Sequence, residues 1–193
     1  MIKQKILKSG FTLLELLVVV LIIGILATIA IPQYRRAVEK SRGAQVLSLL
    51  HTLAQSTQEY YLVKGEYPNS WDELSVDIPW TENQKWHRYG GCMLDTKSNG
   101  NWSAQLENCG NLANWFALYI GRLSGSYAGG GFAYVPLTNQ QNTPLNQIFC
   151  VEQTTEHIPF STTIHKPGDY CNKLFNATFV ESYSSLGRVY KMP

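Results

Sequence analysis

From Phe11 to Ile31 the side chains are apolar almost without interruption, and from Ala37 onward the apolar positions thin to a single stripe. That stripe is Ala44, Val46, Leu49, Leu50, Leu53, Thr57, Tyr60 and Tyr61, mostly at steps of three and four. The first pattern is that of a helix apolar on every side, the second that of an amphipathic helix packed on a domain. No break in phase separates them, so the spacing predicts one helix of about 50 residues. At 1.5 Å per residue its first half is roughly 31 Å long, about the thickness of a bilayer core. Pro32 sits at the join. It lacks an amide donor and crowds the carbonyl four residues back, which predicts a kink or a local opening, and Gly24 weakens the same region.

One residue spoils the apolar half. A carboxylate at Glu15 costs on the order of 3 kcal/mol inside a membrane, so a partner is expected. A cut between Gly10 and Phe11 would place a new α-amine on the first turn, four residues before Glu15. That cation is able to pair with the Glu15 of its own chain or, with a gain in axial register, with that of a neighbour.

Beyond the helix the pattern changes. Gly65 suits a helix C-cap, Pro68 forbids continuation, and Ser70 with Glu73 has the spacing of a capping box for a short second helix. Two short mixed segments between Tyr89 and Leu106 flank the turn signal Ser98-Asn99-Gly100. Ala113 to Ile120 is apolar on both alternations and predicts a strand covered on both faces. Gly125 to Gly131 reads as a loop to a partner strand at Phe132 to Leu137. Further strands are expected at Gln147 to Val151, Leu174 to Val180 and Arg188 to Lys191. The predicted class is α+β, with one antiparallel sheet laid across the second half of the long helix.

Composition adds the compartment. The 193 residues hold 16 Lys and Arg against 14 Asp and Glu. Loss of Met1 to Gly10 with its three lysines, Lys3, Lys5 and Lys8, would leave 13 against 14. The pI of about 8.3 therefore belongs to the leader and says nothing about nucleic acid. Cys92, Cys109, Cys150 and Cys171 are even in number, widely separated and without a Cys-x-x-Cys spacing. Behind an export signal this reads as two disulfides in an oxidising compartment, not as a metal site. Three pairings are open, and joining neighbours, Cys92 to Cys109 and Cys150 to Cys171, is expected. Each such loop of about 15 to 20 residues is worth roughly 3 kcal/mol in the chain-entropy account.

A basic leader ending at Gly10, then Phe11-Thr12-Leu13-Leu14-Glu15 and an apolar helix with Gly24 and Pro32, resembles the class III signal of type IV pilins and type II secretion pseudopilins. Gly65-Glu66-Tyr67-Pro68 and the short capped helix also resemble the segment after the long helix in that family. The resemblance covers the chain to about Leu74. It implies cleavage after Gly10 by a prepilin peptidase, N-methylation of Phe11, Glu15 as the assembly carboxylate, and helix loss between Gly24 and Pro32 on packing into a filament. The implied division is a leader at 1–10, a membrane or filament-core helix at 11–31, an amphipathic half at 32–63 and an exported α/β head at 64–193. The implied role is a structural subunit of a type IV pilus. It would be held in the bacterial inner membrane before assembly, then become part of a periplasmic or extracellular filament. Its partners would be like or unlike pilin subunits and the inner-membrane assembly machinery. The alternatives are a secretion pseudopilin, a minor pilin in DNA uptake and a monomeric membrane-anchored binding protein. An ordinary signal peptide is disfavoured by the length of the apolar run and by Glu15 within it.

Other chemistry finds little support. No Gly-x-Ser-x-Gly, His-Glu-x-x-His or phosphate-loop motif is present, and Gly129-Gly130-Gly131 lacks a following Gly-Lys-Ser/Thr. A non-enzymatic chain without cofactor or metal is expected. Lys85-Trp86-His87-Arg88-Tyr89 interleaves bases with aromatics, as single-strand nucleic-acid binders do. Asp77, Glu82 and Asp95 offset that charge, and a loop with snorkelling basic side chains is the favoured reading. Arg35, Arg36, Lys40 and Arg42, diluted by Glu39, read as a solvated or headgroup-facing cluster, or as contacts between subunits.

Overall fold

The long helix runs through its proline. The computed structural model describes residues 10–88, 92–109, 115–137, 146–153, 166–183 and 187–193. The leader lysines, Tyr89 and Ala113 with Asn114 lie outside the described residues. Helix α1 spans Leu13–Lys64, with Gly24 and Pro32 inside it. Gly65 follows with φ of 75°, and its N–H donates to the Tyr61 carbonyl at 2.8 Å, so glycine takes the left-handed position that closes a helix at little steric cost.

The chain divides into two compact units, residues 1–41 and 42–193. The second unit therefore begins within α1. There α1 contributes Val46, Leu50, Leu53 and Ala54 to the core. The buried face is turned slightly from the predicted stripe. Gly43 and Ser56 are buried as well as Thr57 of the stripe, while Ala44 and Tyr61 are exposed. Gly43 lies inward because the Phe175 ring comes too close for a side chain there, and Ser56 because its hydroxyl accepts from the Ser75 N–H at 3.1 Å.

Among the described residues eight antiparallel strands form one sheet: β1 (Glu82–Arg88), β2 (Cys92–Ser98), β3 (Trp102–Cys109), β4 (Trp115–Arg122), β5 (Gly130–Leu137), β6 (Ile148–Glu152), β7 (Thr178–Tyr183) and β8 (Gly187–Lys191). They follow chain order to β6, and then β8 lies between β6 and β7. Strand β4 shows why its sequence is apolar on both alternations. Phe116, Leu118 and Ile120 join the core shared with α1, whereas Trp115, Ala117 and Tyr119 belong to a second buried cluster with Val135, Phe149 and Val189.

Three local expectations are corrected. Residues 174 and 175 are helical, not extended. They end α2 (Cys171–Phe175), which Asn176 closes with φ of 56° before β7 begins. The cause is tertiary: a disulfide and a buried carboxylate hold the start of α2 on β6. The segment around Lys85 is a strand, not a loop, because β1 pairs with β2 in register from Glu82 opposite Ser98 to Arg88 opposite Cys92. The expected second helix is one turn of 3-10 helix, Trp71–Glu73.

That turn keeps the expected cap in altered form. The Ser70 hydroxyl accepts from the Asp72 N–H at 3.3 Å, and the Glu73 carboxylate accepts from the Asn69 N–H at 2.9 Å, one residue earlier than in a regular capping box. Asp95 on β2 draws the turn inward, accepting from the Ser70 hydroxyl at 2.8 Å and the Trp71 N–H at 3.0 Å.

Candidate functional site

The start of α1 is where the predicted functional residues gather. Gly10 and Phe11 are exposed, and Thr12 is the last residue before the helix. Its backbone N–H donates to a Glu15 carboxylate oxygen at 2.8 Å, and its hydroxyl donates to the same oxygen at 2.7 Å. The Thr12 hydroxyl oxygen in turn accepts from the Glu15 N–H at 3.2 Å. This is a reciprocal capping box, which satisfies donors that the first helical turn leaves unpaired. Glu15 thus has a partner within its own chain. The signal was the Thr-x-x-Glu spacing, the same kind of pattern read at Ser70 and Glu73.

From this cap the helix presents apolar side chains on every side. Leu13, Leu14, Leu17, Leu21, Ile25 and Ile29 are each more than half exposed. The helix is long and apolar enough, by length and composition, to cross a membrane. An unpartnered apolar surface on all sides is unstable in water, so it requires lipid or other protein. Arg35, Arg36 and Lys40, on the turns after Pro32, are exposed.

The far end of α1 is tied to the sheet by the Gly-x-Tyr-Pro segment. The Tyr67 ring stacks between Tyr61 and Phe116, with centroids 4.6 Å away on each side. The Asn108 side-chain amide donates to the carbonyls of Tyr67 and Pro68 at 2.9 and 3.2 Å. Burial raises the Tyr67 phenol to about 12. An aromatic side chain suits this position because its ring packs on both sides.

Cys92 is bonded to Cys109, directly across β2 and β3, and Cys150 on β6 to Cys171 on α2. Glu107 lies near the first pair, and the three form a cluster with metal-ligand reach, but both sulfurs are consumed in the disulfide and present no thiolate. Beside the second disulfide, the buried Glu152 accepts from the N–H groups of Tyr170 and Cys171 at 3.0 and 2.9 Å and from the Tyr190 hydroxyl at 2.8 Å. The Gly168 N–H also donates to it. Four donors on one carboxylate fasten α2 to the sheet.

Residues 7–31 match a family model described as the prokaryotic N-terminal methylation motif. The chain is 40% identical over 86 residues to fimbrial protein EcpC of Eikenella corrodens, covering 45% of this chain and 54% of that protein. It is 34% identical over 73 residues to the type IV major pilin protein PilE1 of Neisseria gonorrhoeae, covering 38% and 44%. It is 57% identical over 45 residues to the type IV major fimbrial protein FimA of Dichelobacter nodosus, covering 23% and 29%. The matches thus span about half or less of each relative's length. No solved structure matches the chain.

Proposed function

We propose that this chain, whose N-terminal segment carries the methylation motif and resembles those of type IV pilins, is a structural subunit of a type IV pilus. The observation that carries the reading is one helix with two characters. Its first part exposes apolar side chains on all sides behind a single capped carboxylate, and its second part is built into a folded head. Helices of the first kind satisfy one another when bundled, and a head of the second kind remains outside the bundle.

In this reading a prepilin peptidase cuts after Gly10 and methylates Phe11. The subunit waits in the bacterial inner membrane, then leaves it as its helix joins the core of a filament. The new amine of Phe11 pairs with Glu15 of a neighbouring subunit, fixing the axial step. Gly24 and Pro32 allow α1 to open locally as it packs. The chain acts by assembly and not by catalysis. Likeness to fimbrial proteins favours a pilus over a secretion pseudopilus.

Mass spectrometry of the N-terminal peptide of protein recovered from membranes tests the processing step. An N-methylated Phe11 start is expected. A start at Met1, or near Ile31, would overturn the reading. Electron microscopy of sheared cell-surface material then tests assembly, with filaments that carry this chain as the expected result.

A further inference from the structure

We propose that a cavity in the 42–193 unit binds the carboxylate-bearing sugar units of an acidic glycan. The cavity has a volume of about 320 Å³, at the lower end of the range for small-ligand sites. Its walls converge from well-separated parts of the sequence: Arg42 from α1, Trp80 from the segment before β1, Asn99 and Asn101 from the β2–β3 turn, and Trp102 and Arg122 from β3 and β4. Val46 and Leu49 supply an apolar strip.

Charge sets the sign of the ligand. Two guanidinium groups line the cavity, and none of its described lining residues is acidic. Arg42 is exposed, whereas Arg122 is only 8% exposed and lies with its guanidinium carbon 5.3 Å from the centre of the Trp102 ring. The indole holds the planar fork in place. A fork already held loses less entropy when it takes a carboxylate across two parallel hydrogen bonds.

Hydrogen-bond polarity narrows the class. The Asn99 side-chain oxygen accepts from the N–H groups of Asn101 and Trp102 at 3.1 and 2.8 Å. The Asn101 side-chain oxygen accepts from the Ser124 hydroxyl at 3.5 Å. With both oxygens engaged in the protein, these amides have their nitrogens to give to a ligand, and guanidinium groups only donate. Gln45, also in the lining, has an amide that can accept as well as donate, but the remaining polar groups donate, and such a wall selects a ligand rich in acceptors. A sugar acid supplies a carboxylate together with ring, hydroxyl and acetamido oxygens, and its C–H face fits the half-buried Trp80 and the apolar strip. A nucleotide is served less well. Trp102 is buried beneath Arg122, which leaves one indole for stacking where single-strand sites use successive aromatic platforms.

The cavity is complete within a single chain, so binding is measured on the full-length chain in detergent micelles. Tryptophan fluorescence is followed during titration with sialyllactose and with glucuronate and galacturonate oligosaccharides, each paired with its neutral counterpart, and with inorganic phosphate and a dinucleotide. Saturable binding of an acidic sugar is expected, at least about tenfold tighter than its neutral counterpart. Arg42→Gln, at an exposed position that does not threaten folding, is expected to weaken it at least about tenfold. Trp80→Leu is expected to weaken it as well, and Arg122→Lys, which keeps the charge and loses the fork, to reduce the preference for the acidic sugar. The proposal is overturned if no acidic probe binds, if neutral sugars bind equally well, if Arg42→Gln and Trp80→Leu both leave affinity unchanged, or if phosphate or the dinucleotide binds as tightly as the best sugar.

Discussion

Thr12 holds Glu15 through two hydrogen bonds to one carboxylate oxygen, from its N–H at 2.8 Å and its hydroxyl at 2.7 Å. The carboxylate that would pair between subunits is therefore capped within its own chain beforehand. Cap and charge are separable by substitution. Glu15→Gln keeps an acceptor for Thr12 and removes the charge, while Thr12→Val keeps the charge and removes the hydroxyl. If pairing between subunits needs the charge, Glu15→Gln abolishes filaments and Thr12→Val only reduces them, since loss of an N-cap costs about 0.5 to 2 kcal/mol. Filament yield in sheared fractions checks both, and normal assembly by Glu15→Gln would remove the carboxylate from the mechanism.

Gly43 lies inside α1, where alanine is the better helix former by about 1 kcal/mol. A Cβ there would overlap the Phe175 ring and approach the Tyr170 hydroxyl oxygen to 3.0 Å. Gly43→Ala is expected to destabilise the head by about 1 to 3 kcal/mol, against the local propensity. A lower denaturant midpoint checks it, and a rise would mean that Phe175 moves aside freely.

Tyr190 predicts an alkaline limit. Burial, and then its hydrogen bond to Glu152, push its phenol up to about 12 from an ordinary value of 10.0. The folded state therefore holds this proton where the unfolded state has lost it. The stabilisation is full below about pH 10 and is lost as pH rises through about 12. Tyr190→Phe should flatten the fall in stability over that window. Thermal unfolding from pH 9 to pH 12 checks this, in steps of about one unit, against the parent chain.

Asp77 acts at the other end of the scale. A hydrogen bond from Lys97, at 2.8 Å, holds its carboxyl below the ordinary value, so its contribution is present above that value and lost as pH falls below it. Lys97→Met should return Asp77 toward the ordinary carboxylate range. Titration of the Asp77 carboxyl by nuclear magnetic resonance reads the shift, and an unchanged midpoint would show that the pair does not form in solution.

Cys150–Cys171 and Glu152 fasten the same segment to β6. Removal of either leaves the other, so the pair Cys150→Ser with Cys171→Ser, combined with Glu152→Ala, should cost more than the two changes taken separately. The coupling expected between contacting groups is about 0.5 to 3 kcal/mol. Unfolding free energies of the four proteins give it directly, and additivity would mean that the two fastenings act independently.

Much of the architecture was legible because the responsible interactions are local. The apolar run and the stripe after it forecast α1 to its final turn, and Gly65 marked its end. The β2–β3 turn and the double-sided apolarity of β4 were equally plain. What was missed lacked a local signature. β1 is polar and owes its extended form to its ladder with β2, and α2 is helical because Glu152 and a disulfide gather its first turn. Thr12 differs: its capping spacing with Glu15 is local and legible, but a lone carboxylate in an apolar helix points first to a cation as its partner.

The order of residues was enough to settle a membrane-length helix with one carboxylate and an α+β head, since helical phase, hydrophobicity and turn chemistry act over a few residues. Tertiary structure alone decided which neighbour occupies each inward position of α1, that Gly43 stands against Phe175, and that Arg42, Trp80, Asn101 and Arg122 share one cavity. Those relations join residues up to 132 positions apart, as from Gly43 to Phe175. Only the packing of the sheet and α2 against the later part of α1 brings them within reach.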